Sequence, residues 1–325
     1  MVLNLNQRFS DSSQFVESMQ DWELDFKQLT NGRTKCELQQ FGNQNLFITQ
    51  FYLKQAFHQR AGSPKDRLTI GLIDEDSNKL FTPKGELSSS NILLFPEGKE
   101  IDLVTRRDFR GRTLSISRAF IEEVAESSGL DASALLSNTR YGALCGKARE
   151  LSRFRHKLKK LGQTMNCQKH TLADVIFKEL EFDLVRQLLA VTAMPEVESS
   201  KFLTARKKSV LNRALEYIDA NPHLPVTVPE LARASGASIR TLEYAFRDYF
   251  DTTPKHYLKN HQLIGLRREL QEADQPTMIQ DIAHKWGLWH MGRLSRDYNT
   301  LFGELPSATL RKNFFREDCD LLGTT

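Results

Sequence analysis

Near its C-terminus the chain carries one pattern twice, and that repeat constrains the fold more than any other feature. Thr227-Val-Pro-Glu230-Leu-Ala232-Arg-Ala-Ser-Gly236-Ala-Ser238 runs into the segment from Ile239 to Asp251. Thr277-Met-Ile-Gln280-Asp-Ile-Ala283-His-Lys-Trp-Gly287-Leu288 runs into the segment from Trp289 to Gly303. Ala232 and Ala283 are 51 residues apart, as are Gly236 and Gly287, while Leu242 to Leu294 and Phe246 to Tyr298 are separated by 52. The register holds with one extra residue in the second turn. Each copy reads as a helix–turn–helix, and two on one chain imply contact with two adjacent segments of DNA major groove.

The local chemistry supports each half. Thr227 with Glu230, and Thr277 with Gln280, fit the capping box, in which two side chains satisfy the first free amides of a helix. A small Ala follows where a neighbouring helix must come close. Gly236 or Gly287 then suits the left-handed residue that ends a helix. Ser238 is a good N-cap for the next helix. In that helix Leu242, Ala245, Phe246 and Tyr249 share one face, and Arg240, Glu243, Tyr244 and Arg247 share another. The second copy places Leu294, Tyr298 and Leu301 inward and Arg293, Ser295 and Arg296 outward. Between the copies, Thr253-Pro254 reads as N-cap and first helical residue. Leu263, Leu266 and Leu270 continue that helix to Glu272, which predicts a connector roughly 27 Å long. Such a rod suits two reading helices held about one DNA turn apart, on the order of 34 Å.

These residues resemble the AraC/XylS family of bacterial transcription regulators over roughly Val210 to Lys312. The resemblance rests on Leu231-Ala232, Ser238, Leu242, Phe246-Arg247, Pro254 and Tyr257-Leu258 in the first half. In the second it rests on Ile279, Ile282-Ala283, Gly287, Leu294-Ser295-Arg296, Phe302-Gly303 and Pro306-Ser307. The segment from Trp286 to Gly292 is similar to the subgroup of ethanolamine-operon regulators, which points to ethanolamine or a cobalamin as effector. The resemblance implies base-edge contacts from Arg240, Glu243 and Tyr244 in the first unit. In the second it implies contacts from His290, Met291, Arg293 and Arg296. Arg bridges guanine and Glu accepts from cytosine, each worth ~1–3 kcal/mol of discrimination. Gly292 holds a contact position without a side chain, which shifts readout toward Arg296 or toward DNA shape. Arg247 is expected at phosphate or within its own helix rather than at a base.

Composition sets the outer bounds. A chain of 325 residues has room for two domains with separate cores. A net charge of +4 permits DNA binding without requiring it. Cys36, Cys145, Cys167 and Cys319 are scattered without metal-ligand spacing, so reduced thiols are expected. No signal peptide or long apolar run is evident, and a soluble, cytoplasmic protein without membrane attachment is the expectation.

The fold class expected is α+β. Residues 1–118 read as a β-rich, effector-sensing domain, and the resemblance implies a cupin-like barrel there. Residues 119–200 read as a helical dimerisation and linker region, and 201–325 as the DNA-binding domain. Strands are expected at Leu24–Leu29, Cys36–Phe41, Leu46–Phe57, Leu68–Ile73, Ile92–Phe95, Ile101–Val104 and Leu114–Ile116, punctuated by Gly, Pro, Asn and Asp. Helices are expected from Ala119 to Ser127, over the basic Gly146–Lys160 stretch, whose charges read as a solvated face, and from Leu172 to Val191. The last of these fits either a core or a dimer contact. Met194–Ser200 reads as a linker.

A metal-dependent cupin would need two or three strand histidines with a carboxylate, and this region holds only His58. Neither a G-x-S-x-G elbow nor a Gly-rich phosphate loop is present. No catalytic residue, cofactor or metal is expected. The partners expected are promoter DNA, RNA polymerase if the chain activates, an unidentified small effector and a second copy of the chain. The competing reading is a ligand-binding or enzymatic cupin-like protein with an incidental helical domain.

Overall fold

The computed structural model describes residues 3–19, 22–83, 85–95, 97–98, 100–136, 142–145, 148–167, 170–192, 203–273 and 277–311. The chain divides into two compact units, Met1–Phe26 with Lys35–Ser200, and Lys27–Thr34 with Lys201–Thr325. The segment from 194 to 200, read from sequence as a linker, lies outside the described residues.

The first unit opens with β1 (Leu3–Phe9), α1 (Ser12–Glu17), β2 (Glu23–Gln28), β3 (Cys36–Gly42), β4 (Leu46–Leu53), β5 (Phe57–Gly62) and β6 (Arg67–Ile73). It continues through β7 (Leu80–Thr82), β8 (Gly85–Leu87), β9 (Asn91–Phe95), β10 (Glu100–Thr105) and β11 (Phe109–Ser117). Then come α2 (Arg118–Ser128), α3 (Ser133–Leu136), β12 (Gly142–Cys145), α4 (Ala148–Cys167) and α5 (His170–Thr192). The strands form a seven-stranded sheet, β1-β3-β4-β11-β6-β9-β12, and a five-stranded one, β2-β5-β10-β7-β8.

Alternation along the strands makes two apolar layers, because successive side chains leave opposite faces. Between the sheets sit Leu38, Leu53, Phe57, Ile73, Phe95, Leu103 and Phe109. On the other face of the larger sheet, Phe41, Ile48, Ile70, Leu114 and Ile116 pack against the helices. In α4 the apolar residues Leu151, Phe154, Leu158, Leu161 and Met165 recur at three- and four-residue spacing and join that layer. Arg149, Arg153, His156 and Lys160 stay exposed as expected, whereas Arg155 of the same stretch is buried and donates to the Ser89 carbonyl. Phe177, Leu184, Val185 and Leu188 of α5 complete the layer. Each such side chain contributes ~1.5–3 kcal/mol of transfer free energy.

Sequence expectation and structure part company at one long strand. The expected Leu46–Phe57 strand is two, β4 and β5, which lie in different sheets. The chain turns through Lys54–Ala56, where the Lys54 amide donates to the Lys35 carbonyl and the buried Gln55 side chain accepts from the Lys35 amide. No Gly or Pro marks the turn. Strands β1, β7, β8 and β12 and helix α1 also lie outside the expectations. β1 is an edge strand with its middle residues exposed, so its apolar alternation is weak.

The second unit holds α6 (Ala205–Ala220), α7 (Val228–Ala234), α8 (Ile239–Phe250), α9 (Pro254–Glu272), α10 (Ile279–Lys285) and α11 (Met291–Phe302). The Lys27–Thr34 strand end and loop belong to this unit. The buried Gln28 amide donates to the carbonyls of Thr30, Gly32 and Leu301. Asn260 of α9 donates to the carbonyls of Gln28 and Leu29. No helix among the described residues is long and apolar enough to cross a membrane.

Candidate nucleic-acid interface

The first helix–turn–helix is α7 and α8. Thr227 caps α7 through a full capping box: its hydroxyl accepts from the Glu230 amide, and the Glu230 carboxylate accepts from the Thr227 amide at 2.8 Å. The Thr227 hydroxyl, which also donates to the carboxylate at 2.7 Å, and the Thr227 amide hold the Glu230 carboxyl below its ordinary range. Gly236 takes the left-handed conformation (φ +64°), which lets the chain reverse without a Cβ penalty. Ser238 then caps α8 by accepting from the Thr241 amide.

Helix α8 buries Leu242, Ala245, Phe246 and Tyr249 completely. On its outward face Arg240, Tyr244 and Arg247 are exposed and Glu243 is half-buried. Arg240 donates to the Tyr244 hydroxyl at 3.2–3.3 Å, with its guanidinium 5.6 Å from the ring centre. Lys207 of α6 lies 5.9 Å from the same ring and pairs with Asp248 at 2.5 Å. Tyr244 is therefore flanked by two cations, a pre-set donor cluster. Lys207 is absent from the sequence expectations, because only tertiary packing brings it to Tyr244.

The second helix–turn–helix is α10 and α11, and the gap between its helices is one residue longer than in the first, as the repeat register requires. Its lead helix departs from the expected capping box. α10 starts at Ile279 with Met278 as N-cap, so Gln280 is the second helical residue and Thr277 precedes the cap. The box geometry needs the acceptor at the third helical position, and this offset removes it. Gly287 ends the turn with φ +72° and Gly303 ends α11 with φ +71°.

In α11, Leu294, Tyr298 and Leu301 are buried, as their spacing implies. His290, Arg293 and Arg296 are exposed, while Met291 is half-buried and packs partly against the core. Arg293 reaches Asp297 one turn on at 3.6 Å, and Asp297 is also held by Lys259 of α9 at 2.6 Å. Nothing stands within 4 Å of a Cβ built on Gly292, so the helix presents open backbone there. Trp289 is an addition the sequence reading lacks. It is 62% exposed just before α11 and stacks on His284 at 4.6 Å. An exposed Trp beside the repeat's turn is a signal that the sequence alone offers.

The connector α9 has 19 residues, or roughly 28 Å at the helical rise. Thr253 caps it and Pro254 is its first residue. Gly265 faces the Trp286 ring so closely that a Cβ there would overlap it. The indole nitrogen of Trp286 donates to Glu269 at 2.9 Å, which fixes α10 on the connector.

Two helix–turn–helix units on a rigid connector, each with an exposed polar helix face, define a tandem DNA-reading domain. Residues 231–312 match the family model described as "Helix-turn-helix domain". The chain is 35% identical over 108 residues to a probable thc operon regulatory protein of Rhodococcus erythropolis, covering 33% of this chain and 32% of that protein. It is 32% identical over 114 residues to the XylDLEGF operon transcriptional activator of Pseudomonas putida, covering 35% and 36%. The matches thus span about a third of each relative's length. The solved structure of a probable AraC family transcriptional regulator from Rhodopseudomonas palustris is 31% identical, with 32% of this chain and 96% of that one covered and a TM-score of 0.30. The C-terminal unit carries a helix-turn-helix domain similar to that of these regulators.

Proposed function

We propose that the chain is a sequence-specific, DNA-binding transcription regulator, an effector-responsive activator. The reading is carried by the exposed faces of α8 and α11. Each presents cationic and polar side chains outward while its opposite face is buried. In this reading Arg240, Glu243 and Tyr244 contact bases in one major-groove segment, and Arg247 contacts phosphate. His290, Met291, Arg293 and Arg296 serve the adjacent segment.

The division of labour is residues 1–118 for effector sensing, 119–200 for dimerisation and linkage, and 201–325 for DNA. Effector binding acts by population shift, favouring a state of the chain that engages promoter DNA and RNA polymerase, which requires differential affinity for two states. The site of action is the cytoplasm. The ethanolamine-regulator resemblance is confined to the segment from Trp286 to Gly292, within the DNA-reading half, so it bears on lineage rather than on effector chemistry.

The competing enzymatic reading turns on His58 of β5, which is buried and bonded to Asp102 at 3.1 Å, the setting of a structural histidine. The test is footprinting on the promoter of the chain's own gene neighbourhood with wild type, Arg240→Ala and Arg296→Ala. Weakened protection in both variants is expected. Unchanged protection by both overturns the two-helix readout.

A further inference from the structure

The helix-covered face of the seven-stranded sheet changes character along its strands. Phe41, Ile48 and Leu114 sit side by side across β3, β4 and β11 and belong to the apolar layer. Two residues along, the same three strands place Gln39, Gln50 and Arg112 in a row, and two further along Glu37, Tyr52 and Arg110. A sheet face packed under a helix is ordinarily apolar, so two consecutive polar rows are not what folding demands. Helix α4 closes over them. Gln39 donates to the Gly162 carbonyl at 2.8 Å, and Gly162 leaves the space that a Cβ would take from the Gln50 amide. Lys159, Gln163 and Asn166, spaced four and three apart on α4, line the opposite wall.

The result is a cleft of about 410 Å³, within the range of small-molecule sites. Between the two sheets, by contrast, Leu80, Phe95 and Phe109 help line a space of only about 40 Å³, room for little more than water.

The uncommitted groups in the cleft are donors. Arg112 is 5% exposed, bonded to Asp74 and, through Nε, to the Gln50 side-chain oxygen Oε1 at 3.2 Å. The Gln50 amide nitrogen is buried with no hydrogen-bond partner among the described residues. Three carboxylates line the cleft, and each faces an arginine: Glu37 with Arg8 at 3.5 Å, Asp76 with Arg110 at 4.0 Å, and Asp74 with Arg112. The lining then carries one cation more than carboxylates, Lys159, which also acts on Asp74 and shares the cleft with the amides of Gln50 and Gln163. Ammonium offers hydrogen bonds without accepting any, so the fitting occupant brings acceptors and negative charge.

We propose that this cleft binds a small, polar organic acid, with its carboxylate held by Lys159 and the Gln50 amide, and that it is the site where the first unit senses its effector. The sensing half of this statement rests on the reading of the chain as a DNA-binding regulator.

Thermal unfolding of the full chain tests the cleft without DNA. The probes are citrate, 2-oxoglutarate and D-glucarate at millimolar concentration and fixed ionic strength, with ethanolamine, glycerol and inorganic phosphate for comparison. At least one acid should raise Tm by about 2–4 °C in wild type and in Arg240→Ala. The rise should vanish in Lys159→Glu, an exposed position, and shrink in Gln50→Leu. A shift with none of the acids, or one that persists in Lys159→Glu, overturns the site. An equal shift with phosphate or ethanolamine overturns the carboxylate assignment. The stabilising acid should also change the midpoint of promoter binding in wild type and not in Lys159→Glu. An acid that stabilises the chain but leaves that midpoint in place overturns the sensing role alone. Failure of wild type to bind promoter DNA at all contradicts the regulator reading and leaves the thermal result standing.

Discussion

The first helix–turn–helix is pinned by side chains at the start of both its helices, by Thr227 with Glu230 and by Ser238. The second starts α10 at Met278, whose side chain has no oxygen to offer, and α11 at His290, which makes no side-chain capping bond among the described residues. The contrast extends to the reading faces. α8 presents Arg240 already braced on Tyr244, a geometry that costs little further ordering on contact with a base. α11 has Arg293 engaged with Asp297, a glycine in the middle of its contact face, and Arg296 exposed. The same repeat has therefore been tuned in two ways. In the proposed reading the first unit relies on direct base readout, whereas the second would lean on one arginine, an exposed Trp289 and the close approach that Gly292 permits.

The largest effects should come where the two units are alike. Phe246→Ala and Tyr298→Ala each remove a fully buried ring, and each should cost about 3–5 kcal/mol of stability in denaturant unfolding. A near-neutral Tyr298→Ala would break the equivalence of the two cores. Next is Arg240→Ala, expected to lose about 1–3 kcal/mol of DNA affinity and to relax preference at one base pair in competition binding. Arg293→Ala, whose side chain is shared between the second DNA segment and Asp297 one turn on, should lose less affinity than Arg240→Ala in the same assay. Reversal of that order would show that the second unit is the stronger reader.

Smaller still are the caps. Thr227→Ala should destabilise the second unit by about 1 kcal/mol, while Met278→Ser should stabilise it by roughly 0.5–1 kcal/mol by supplying the missing acceptor. Equal and opposite results are not required, but a loss of stability in Met278→Ser would contradict the assigned cap. The pH response should be the subtlest. The folded carboxyl of Glu230 is depressed, so its contribution is complete above the ordinary glutamate value and fades as pH falls through the lower folded one. Acid titration of stability should lose that component in Glu230→Gln, and no change in the titration would remove the capping box from the account.

Much of the second unit was legible because its signals are local. Caps, left-handed glycines and inward faces are set within four or five residues, and the extra residue of the second turn shows in the repeat register itself. The Thr277 cap misled because a one-residue offset in the helix start leaves the composition unchanged while moving Gln280 off the required position. Gly265 against Trp286, and Lys207 beside Tyr244, join residues that only helix packing brings together. In the first unit the alternation of most strands was readable, but the break at Lys54–Ala56 was not, since no residue there is a turn former. The polar rows through Gln50 and Arg112 were likewise hidden, because they exist across strands rather than along them. Periodicity along one strand cannot report its neighbours' register.

The central claim is that α8 and α11 read two successive major-groove segments from one chain. Guanine-methylation interference on the footprinted promoter tests it most directly. Two clusters of interfering positions about one helical turn apart are expected, with Arg240→Ala erasing one and Arg296→Ala the other. A single cluster, or loss of the same positions in both variants, would contradict it.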